Sequence, residues 1–292
     1  MLPQQASNNK KYFLLAAVSA AMSIIFSVMS APFIRVLAAT KSKIFWLVGI
    51  VFVSSLFFLK MNLVAIYVGT IWMTLGLYSE LEKKGITWKK SGALSVLAGV
   101  AFGAISFLAI TKWSVDHELF KQVIDPLMVS LKQVLPEENF ETKAVMMFMP
   151  GLLASALISA LAVSLVFEAQ IFQAFQIKRE RLASGLKWLE FRLPDMFIWV
   201  SLFSFLFSVV ETPFHFLQVI AINLAVVSII SFFFQGISVF EFAMRIFRVG
   251  RITKLLLYLL IITWALPVIT VLGFADYWVD FRRHMRKKVK VS

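Results

Sequence analysis

The sequence contains no cysteine, and only three of its 292 residues are histidine. The absence of cysteine excludes disulfide bonds, thiolate metal sites and thiol nucleophiles within this sequence. No phosphate-binding glycine loop, zinc-protease motif, nucleophile elbow or convincing catalytic triad is present. The sequence therefore predicts no catalytic residue, no cofactor and no metal site, and we expect the protein not to be an enzyme.

Charged residues are also scarce. They make up 15% of the chain, whereas 60% of the residues are hydrophobic and Phe alone occurs 30 times. Apolar runs of about 20 residues recur along the chain, and a helix of that length matches the hydrocarbon core of a bilayer. The sequence predicts an all-α polytopic transmembrane bundle of about eight spans, within a range of seven to nine. We expect one integral membrane domain over residues 1–292, with the lipid bilayer as its first partner.

Eight apolar runs are candidate spans, at residues 12–31, 44–59, 62–79, 92–113, 145–170, 196–211, 217–240 and 253–274. The segment 32–43 between the first two is too short to cross a bilayer fully. We interpret it as a half-helix or a re-entrant piece. In the fourth run, small residues from Gly92 to Ser106 recur along one stripe, which predicts an intramolecular packing face or, less favoured, a homodimer contact.

The net charge of +13 is concentrated between the spans. Basic loops at 80–91, 178–192 and 245–254 are separated by two spans each, so the positive-inside rule predicts that all three are cytoplasmic. We therefore expect a bacterial inner membrane protein whose basic loops contact anionic lipid, and no nucleic-acid partner. Lys10, Lys11 and the basic tail 282–292 disagree with this parity of spans, because an odd number of candidate spans separates them from the nearest basic loop. That number is three for the two lysines, unless the segment 32–43 crosses as a short helix, and one for the tail.

The acidic loop 114–144 is predicted to face the opposite, extracytoplasmic side. Its apolar residues fall at spacings of three and four, which indicates an amphipathic helix. Asp125 before Pro126 suggests a break and a new helix start at that point. The helix lies on the membrane surface or, as the less favoured alternative, forms a lid or a partner-binding element.

Polar residues within apolar runs are the remaining candidate sites, because they are costly in a membrane. Glu168 precedes Gln170, Gln173 and Gln176, so this helix either lines a polar cavity or leaves the bilayer there. Asn223 suggests an interhelical hydrogen bond, and Gln235 interrupts the seventh run. Glu211 and His215 are four residues apart, but this pattern is too weak to predict a metal site. Glu241 and Arg245 have the same spacing, which suits an ion pair on a helix.

The stretch "VLGFADYWVDFRRHMRKK", residues 271–288, places Asp276 and Asp280 among aromatic residues and before a basic run. Aromatic and basic residues suit a membrane interface, but two acids on one helical face need a further reason. We expect Asp276, Asp280 and Arg282 to form a structural ion-pair or capping cluster with a basic loop, in preference to a ligand site.

Residues 190–283 resemble the YybS-like family of bacterial integral membrane proteins. The resemblance rests on "RLPDMFIW", on Asn223, on "FFFQGISVFEF" and on "LGFADYWVDFR". That family is remotely similar to the substrate-binding S-components of energy-coupling-factor transporters. The resemblance implies a transporter-like helical bundle that binds a small solute or lipid. The alternative hypothesis is a membrane scaffold that docks other envelope proteins through its basic loops and its outer helix.

Overall fold

The computed structural model describes residues 2–112, 118–134, 142–178, 188–210, 213–261 and 265–291. Every regular element in these ranges is a helix, as the composition predicts. The chain divides into two compact units, Met1–Gly185 and Leu186–Ser292. Four helices are long and apolar enough to cross a membrane. The predicted number of eight spans remains a prediction, since several of the other helices are shorter.

The first unit contains seven helices within its described residues. They are α1 (Leu2–Ile25), α2 (Ala31–Thr40), α3 (Ser42–Phe58), α4 (Asn62–Lys83), α5 (Trp88–Ile110), α6 (Glu118–Val134) and α7 (Thr142–Ala174). Helices α4, α5 and α7 are membrane-span candidates. The core lies between α2, α4 and α7, where Tyr78 and most of α2 are buried.

Helices α1 and α2 form a hairpin. The predicted first span, 12–31, does not continue as one helix, because α1 ends at Ile25 and the chain turns before α2 begins at Ala31. At the turn, the Ser23 hydroxyl donates to Ser30 Oγ over 3.2 Å, and the Trp72 indole donates to Ser23 Oγ over 3.2 Å. Because Trp72 lies midway along α4, the hairpin tip reaches only the middle of that helix.

Helix α2 then returns towards the end from which α1 started. It has ten residues, so it is roughly 15 Å long, about half of the hydrocarbon thickness. Near its C-terminus the Lys83 ammonium donates to the Ala38 carbonyl over 2.8 Å, and Lys11 in α1 donates to Gln176 just after α7 over 3.5 Å. Lys11 therefore lies at the end of the unit that carries the basic α4–α5 loop. The crossing back by α2 removes the parity conflict at the N-terminus.

The small-residue stripe of α5 packs within the unit. A Cβ atom built at Gly99 would lie 2.9 Å from Leu157 in α7, and one at Gly103 would lie 2.9 Å from Leu153. Both would also contact threonines of α4. These separations are too short for side chains, so glycine lets α5 approach α4 and α7 closely. The stripe is the predicted intramolecular packing face.

The break predicted at Asp125–Pro126 is wrong. Helix α6 continues from Glu118 to Val134 with Pro126 inside it. Proline removes one backbone hydrogen bond and usually costs ~3 kcal/mol in a helix interior. Here the helix packs against α7 and buries Ile124, which is 2% exposed, so tertiary packing offsets that cost.

The second unit begins with a short 3₁₀ turn at Trp188–Glu190. It continues with α8 (Asp195–Val209), α9 (His215–Ile246), α10 (Arg251–Leu260), α11 (Leu266–Val279) and α12 (Phe281–Val291). Only α9 has the length of a full span, and α8, α10 and α11 are shorter. The predicted span 253–274 therefore comprises α10 and most of α11, with Pro267 in the first turn of α11. Residues 262–264 lie outside the described ranges.

The basic tail lies beside the same end of α9 as the basic loop. Arg286 of α12 lies over the ring of Phe242, with 5.1 Å between the guanidinium carbon and the ring centroid. On the loop side, Lys254 of α10 donates to Glu241, the neighbour of Phe242, over 3.1 Å. Both basic segments therefore flank the C-terminal end of α9. The disagreement in parity between the loop and the tail disappears, because α10 and α11 together return the chain to that end.

Candidate functional site

The most deeply buried charge in the described residues is Arg35, on the short helix α2. Its side chain forms an ion pair with Glu82 of α4, and its Nε lies 3.5 Å from Glu168 Oε2 of α7. Its second terminal nitrogen donates to Ser79 Oγ over 2.7 Å, and its guanidinium lies 5.0 Å from the centre of the Tyr78 ring. We call these five residues the arginine cluster.

The arginine cluster is sealed from solvent. Arg35 is 0% exposed, Glu82 1% and Glu168 5%. A buried charge is stable only when it is paired and hydrogen-bonded, and the guanidinium has carboxylates from two different helices for this purpose. The cluster therefore ties α2 to both α4 and α7. It fixes the returning arm of the hairpin inside the unit.

The hairpin tip provides a second group of buried polar side chains. Ser19, Ser23 and Ser30 are each at most 2% exposed. Their hydroxyls donate mainly to backbone carbonyls one turn away, as Ser23 does to Ser19 over 2.6 Å. Irregular backbone at membrane depth is tolerated where it is enclosed by protein or lines a cavity. The three serines and the Trp72 indole are enclosed in this way, whereas Ile25, Phe26 and Met29 of the turn are exposed.

In the second unit, Gln235, Asp276 and Arg282 form the C-terminal cluster. Asp276 Oδ2 accepts a hydrogen bond from Arg282 over 2.6 Å, and Asp276 Oδ1 accepts one from the Phe281 backbone over 3.1 Å. The Gln235 amide donates to the Gly273 carbonyl over 3.0 Å and reaches Asp276 over 3.4 Å. Gln235 and Asp276 are 1% exposed and Arg282 is 6% exposed.

The same cluster holds the linker segment, residues 188–194, against α9 and α11. Arg282 donates to the carbonyls of Leu189 and Phe191 over 3.2 and 2.9 Å, and Gln235 Oε1 accepts from the Leu193 backbone over 3.0 Å. A half-buried segment with little regular secondary structure needs partners for its backbone groups. The cluster supplies them, so its polar atoms satisfy one another and the backbone. This arrangement is that of a structural connection between helices.

Two glycines allow this connection to form. A Cβ atom at Gly273 would overlap the carbonyl oxygen of Phe232 and lie 2.6 Å from the Gly236 nitrogen. A Cβ atom at Gly236 would overlap the carbonyl oxygen of Ile269. Helices α9 and α11 therefore touch backbone to backbone at this point. Only glycine at both positions permits that contact and brings Gln235 within reach of Asp276.

Asp280 lies next to the C-terminal cluster but is not part of its ion pair. Its backbone adopts the left-handed conformation, with φ 46°, and ends α11. Its carboxylate accepts from the Arg283 backbone over 3.3 Å, at the start of α12. Short polar side chains tolerate this conformation better than most. The two acids therefore have different structural roles, because Asp276 pairs with Arg282 and Asp280 forms the turn between α11 and α12.

The other predicted site residues are dispersed. Glu168 belongs to the arginine cluster, whereas Gln170, Gln173 and Gln176 are exposed, so these four residues do not line one enclosed cavity. The Asn223 amide donates to the Val219 carbonyl in its own helix over 2.7 Å. Exposed His215 is the first residue of α9, and Glu211 lies outside the described residues.

Glu241 does pair with Arg245, over 3.0 Å, as its spacing predicts. Lys254 and Tyr258 of α10 also donate to Glu241, over 3.1 and 2.7 Å, and no local spacing predicts these two contacts. Glu241 is thus the residue that attaches α10 to α9. Arg245 is exposed, so this group lies at the surface.

Arg35 and Glu82 were not predicted as site residues. Arg35 stands alone in the apolar segment "APFIRVLAAT", and an isolated charge in such a segment was the available signal. Glu82 adjoins Lys83 and Lys84 in a charged loop, so nothing in the local sequence separates it from surface residues. The tertiary fold brings Arg35 and Glu82 together with Glu168, although Arg35 and Glu168 are 133 residues apart in the sequence.

Comparison with known families gives a family match over most of the chain. A family model described as "Predicted membrane protein (DUF2232)" matches residues 12–277. No curated protein and no solved structure gives a significant match. The matched range includes both the arginine cluster and most of the C-terminal cluster, and it ends before Arg282.

Proposed function

Because the chain belongs to the DUF2232 family of predicted membrane proteins, we propose that it is a multi-pass protein of the bacterial inner membrane that binds a small solute or lipid in a transporter-like bundle. The basic ends of its two units face the cytoplasm, following the positive-inside rule, and contact anionic lipid. The proposal includes no catalytic activity. Residues 190–283 resemble the YybS-like family, and this resemblance remains a prediction.

The observation that carries the proposal is the half-length helix α2 with its buried Arg35. Transporters commonly place substrate sites near mid-membrane, where discontinuous helices end and their backbone dipoles face the substrate. Helix α2 begins at Ala31, level with the middle of α4, beside the serines of the hairpin tip. Its middle is held by the arginine cluster through Arg35. The first unit therefore has a rigid support and a group of buried serines beside the hairpin tip, where we place the solute.

The Trp72 indole is the side chain best suited to test this site. It donates to Ser23 at the tip and is 3% exposed. In the experiment, the full-length protein is purified from bacterial membranes and its bound small molecules and proteins are identified by mass spectrometry. We expect a metabolite or lipid that copurifies with the wild type and is depleted in Trp72→Phe, which removes the donor and keeps an aromatic ring.

Trp199→Phe is the matched control, because Trp199 is 56% exposed in the second unit and lies outside the proposed site. Equal depletion in both variants would contradict binding at the tip. The scaffold hypothesis predicts a different result from the same preparation, namely a stoichiometric envelope protein without a bound small molecule. That outcome would replace the solute-binding proposal.

A further inference from the structure

Helix α12 presents a basic surface at the end of the second unit. Residues 281–291 contain six lysines and arginines and no acidic residue. Arg282 points inwards to Asp276, whereas Arg283 and His284 are exposed. The left-handed turn at Asp280 and the Asp276–Arg282 ion pair fix the direction in which α12 leaves α11. The basic surface of α12 is therefore held by buried contacts at its first turn.

Helix α10 lies at the same end of α9 and presents an apolar surface. Ile252, Leu256 and Leu260 follow each other at intervals of four residues and are 78%, 63% and 53% exposed. Its polar residues Lys254 and Tyr258 face Glu241 of α9 instead. A short helix that turns its apolar residues away from its own protein suits the boundary between lipid headgroups and acyl chains.

We propose that α10 and α12 together form a binding surface for anionic phospholipid. In it, the exposed cations of α12 contact the headgroup phosphates, and the apolar residues of α10 enter the acyl region. Charge complementarity selects this ligand, because the six cations of α12 outnumber the acids that pair with them, Asp276 with Arg282 and Glu190 with Arg286. Exposed Arg248 adds a further cation nearby. The surface belongs to the second unit and does not involve the solute site. It rests on the membrane location proposed above.

The direct test uses the full-length protein in a non-ionic detergent. Phosphatidylglycerol or phosphatidylcholine is titrated in, and bound lipid is counted by native mass spectrometry. Each basic residue near an anionic surface strengthens association roughly fivefold. We expect the wild type to retain phosphatidylglycerol in preference to phosphatidylcholine. We expect a loss of affinity of about a hundredfold when three charges are removed together, in the variant Arg283→Gln, Lys287→Gln, Lys288→Gln.

The matched control removes the same number of charges from exposed lysines of the first unit outside its basic loop, in the variant Lys60→Gln, Lys112→Gln, Lys121→Gln. We expect this control to keep most of the affinity for phosphatidylglycerol. Equal losses in both triple variants would overturn the proposal, since net charge alone would then explain binding. Complete competition by inorganic phosphate would also overturn it, because the site would then bind a free anion without the lipid chains.

A further variant, Ile252→Gln with Leu256→Gln, tests the contribution of α10. We expect it to weaken retention of both lipids and to leave the preference for phosphatidylglycerol in place. An unchanged retention of both lipids would remove α10 from the proposed surface. Retention of the solute, measured in the same preparations, separates this proposal from the one above. Loss of lipid without loss of solute is the expected pattern for every α10 and α12 variant.

Discussion

Replacing Arg282 by methionine tests whether the C-terminal cluster holds the second unit together. Methionine keeps much of the apolar stem but removes the guanidinium that contacts Asp276, Leu189, Phe191 and Ser238. Asp276 would then remain at 1% exposure without its main counter-charge. A buried carboxylate in that position is strongly unfavourable.

The expected loss is about 3–5 kcal/mol in the free energy of unfolding, the usual cost of breaking a buried ion pair by removing one partner. Solvent screening weakens this ion pair only a little, because the Arg282 side chain is 8% exposed. Asp276→Leu should cost a similar amount, since it leaves Arg282 unpaired. The double variant removes both charges, so its loss should fall short of the sum of the single losses by about 2–3 kcal/mol.

Reversible unfolding of the full-length protein in mixed micelles, followed by tryptophan fluorescence, measures these differences. Asp280→Asn is the control, because asparagine also accepts from a backbone amide and tolerates the left-handed conformation. We expect it to change stability by less than about 0.5 kcal/mol. Strict additivity of the two single variants, or a loss below about 1 kcal/mol for Arg282→Met, would refute the structural role of the cluster.

Three further predictions use the same protein. Gly273→Ala should lower the unfolding free energy by about 1–3 kcal/mol or more, because the added Cβ overlaps a backbone carbonyl. Gly250→Ala is its control, because the space around Gly250 is open, and thermal unfolding of this variant should change little. Asp280→Val should cost at least about 1–2 kcal/mol because of the left-handed backbone, whereas Asp280→Gly should stay close to the wild type in the same assay. Because the chain lacks cysteine, Lys10→Cys and Lys288→Cys each introduce a single label site. Both should react with an impermeant maleimide in inverted membrane vesicles and not in intact spheroplasts, and reaction of either in spheroplasts would refute the topology.

Much of the helical organisation follows from local sequence. Helices α4, α5 and α9 match the predicted apolar runs 62–79, 92–113 and 217–240 to within a few residues or contain them. The match arises because a long apolar segment in a membrane must satisfy its own backbone hydrogen bonds, which a helix does. The spacing of Glu241 and Arg245 likewise predicted their ion pair correctly. These features depend on residues within one or two helical turns of each other.

The parity of the chain ends could not be read from sequence. Loop charges alone left the sides of Lys11 and the basic tail undecided, because a hydropathy pattern does not distinguish a crossing helix from a returning hairpin. Helix α2 and the α10–α11 pair are short, and their direction is set by contacts with α4 and α9. Only those contacts show that each basic segment lies at the basic end of its own unit.

The composition by itself determined the helical membrane class, because a chain with so few charges and so many long apolar runs has no other stable environment than a bilayer. Sequence also marked the acids Asp276 and Asp280 as unusual for a membrane interface and grouped them with Arg282. The tertiary structure decided their separate roles, and it alone brought Arg35 to Glu82 and Glu168. The physical reason is that a buried charge is stabilised by partners from distant helices, and the position of those partners is a property of packing.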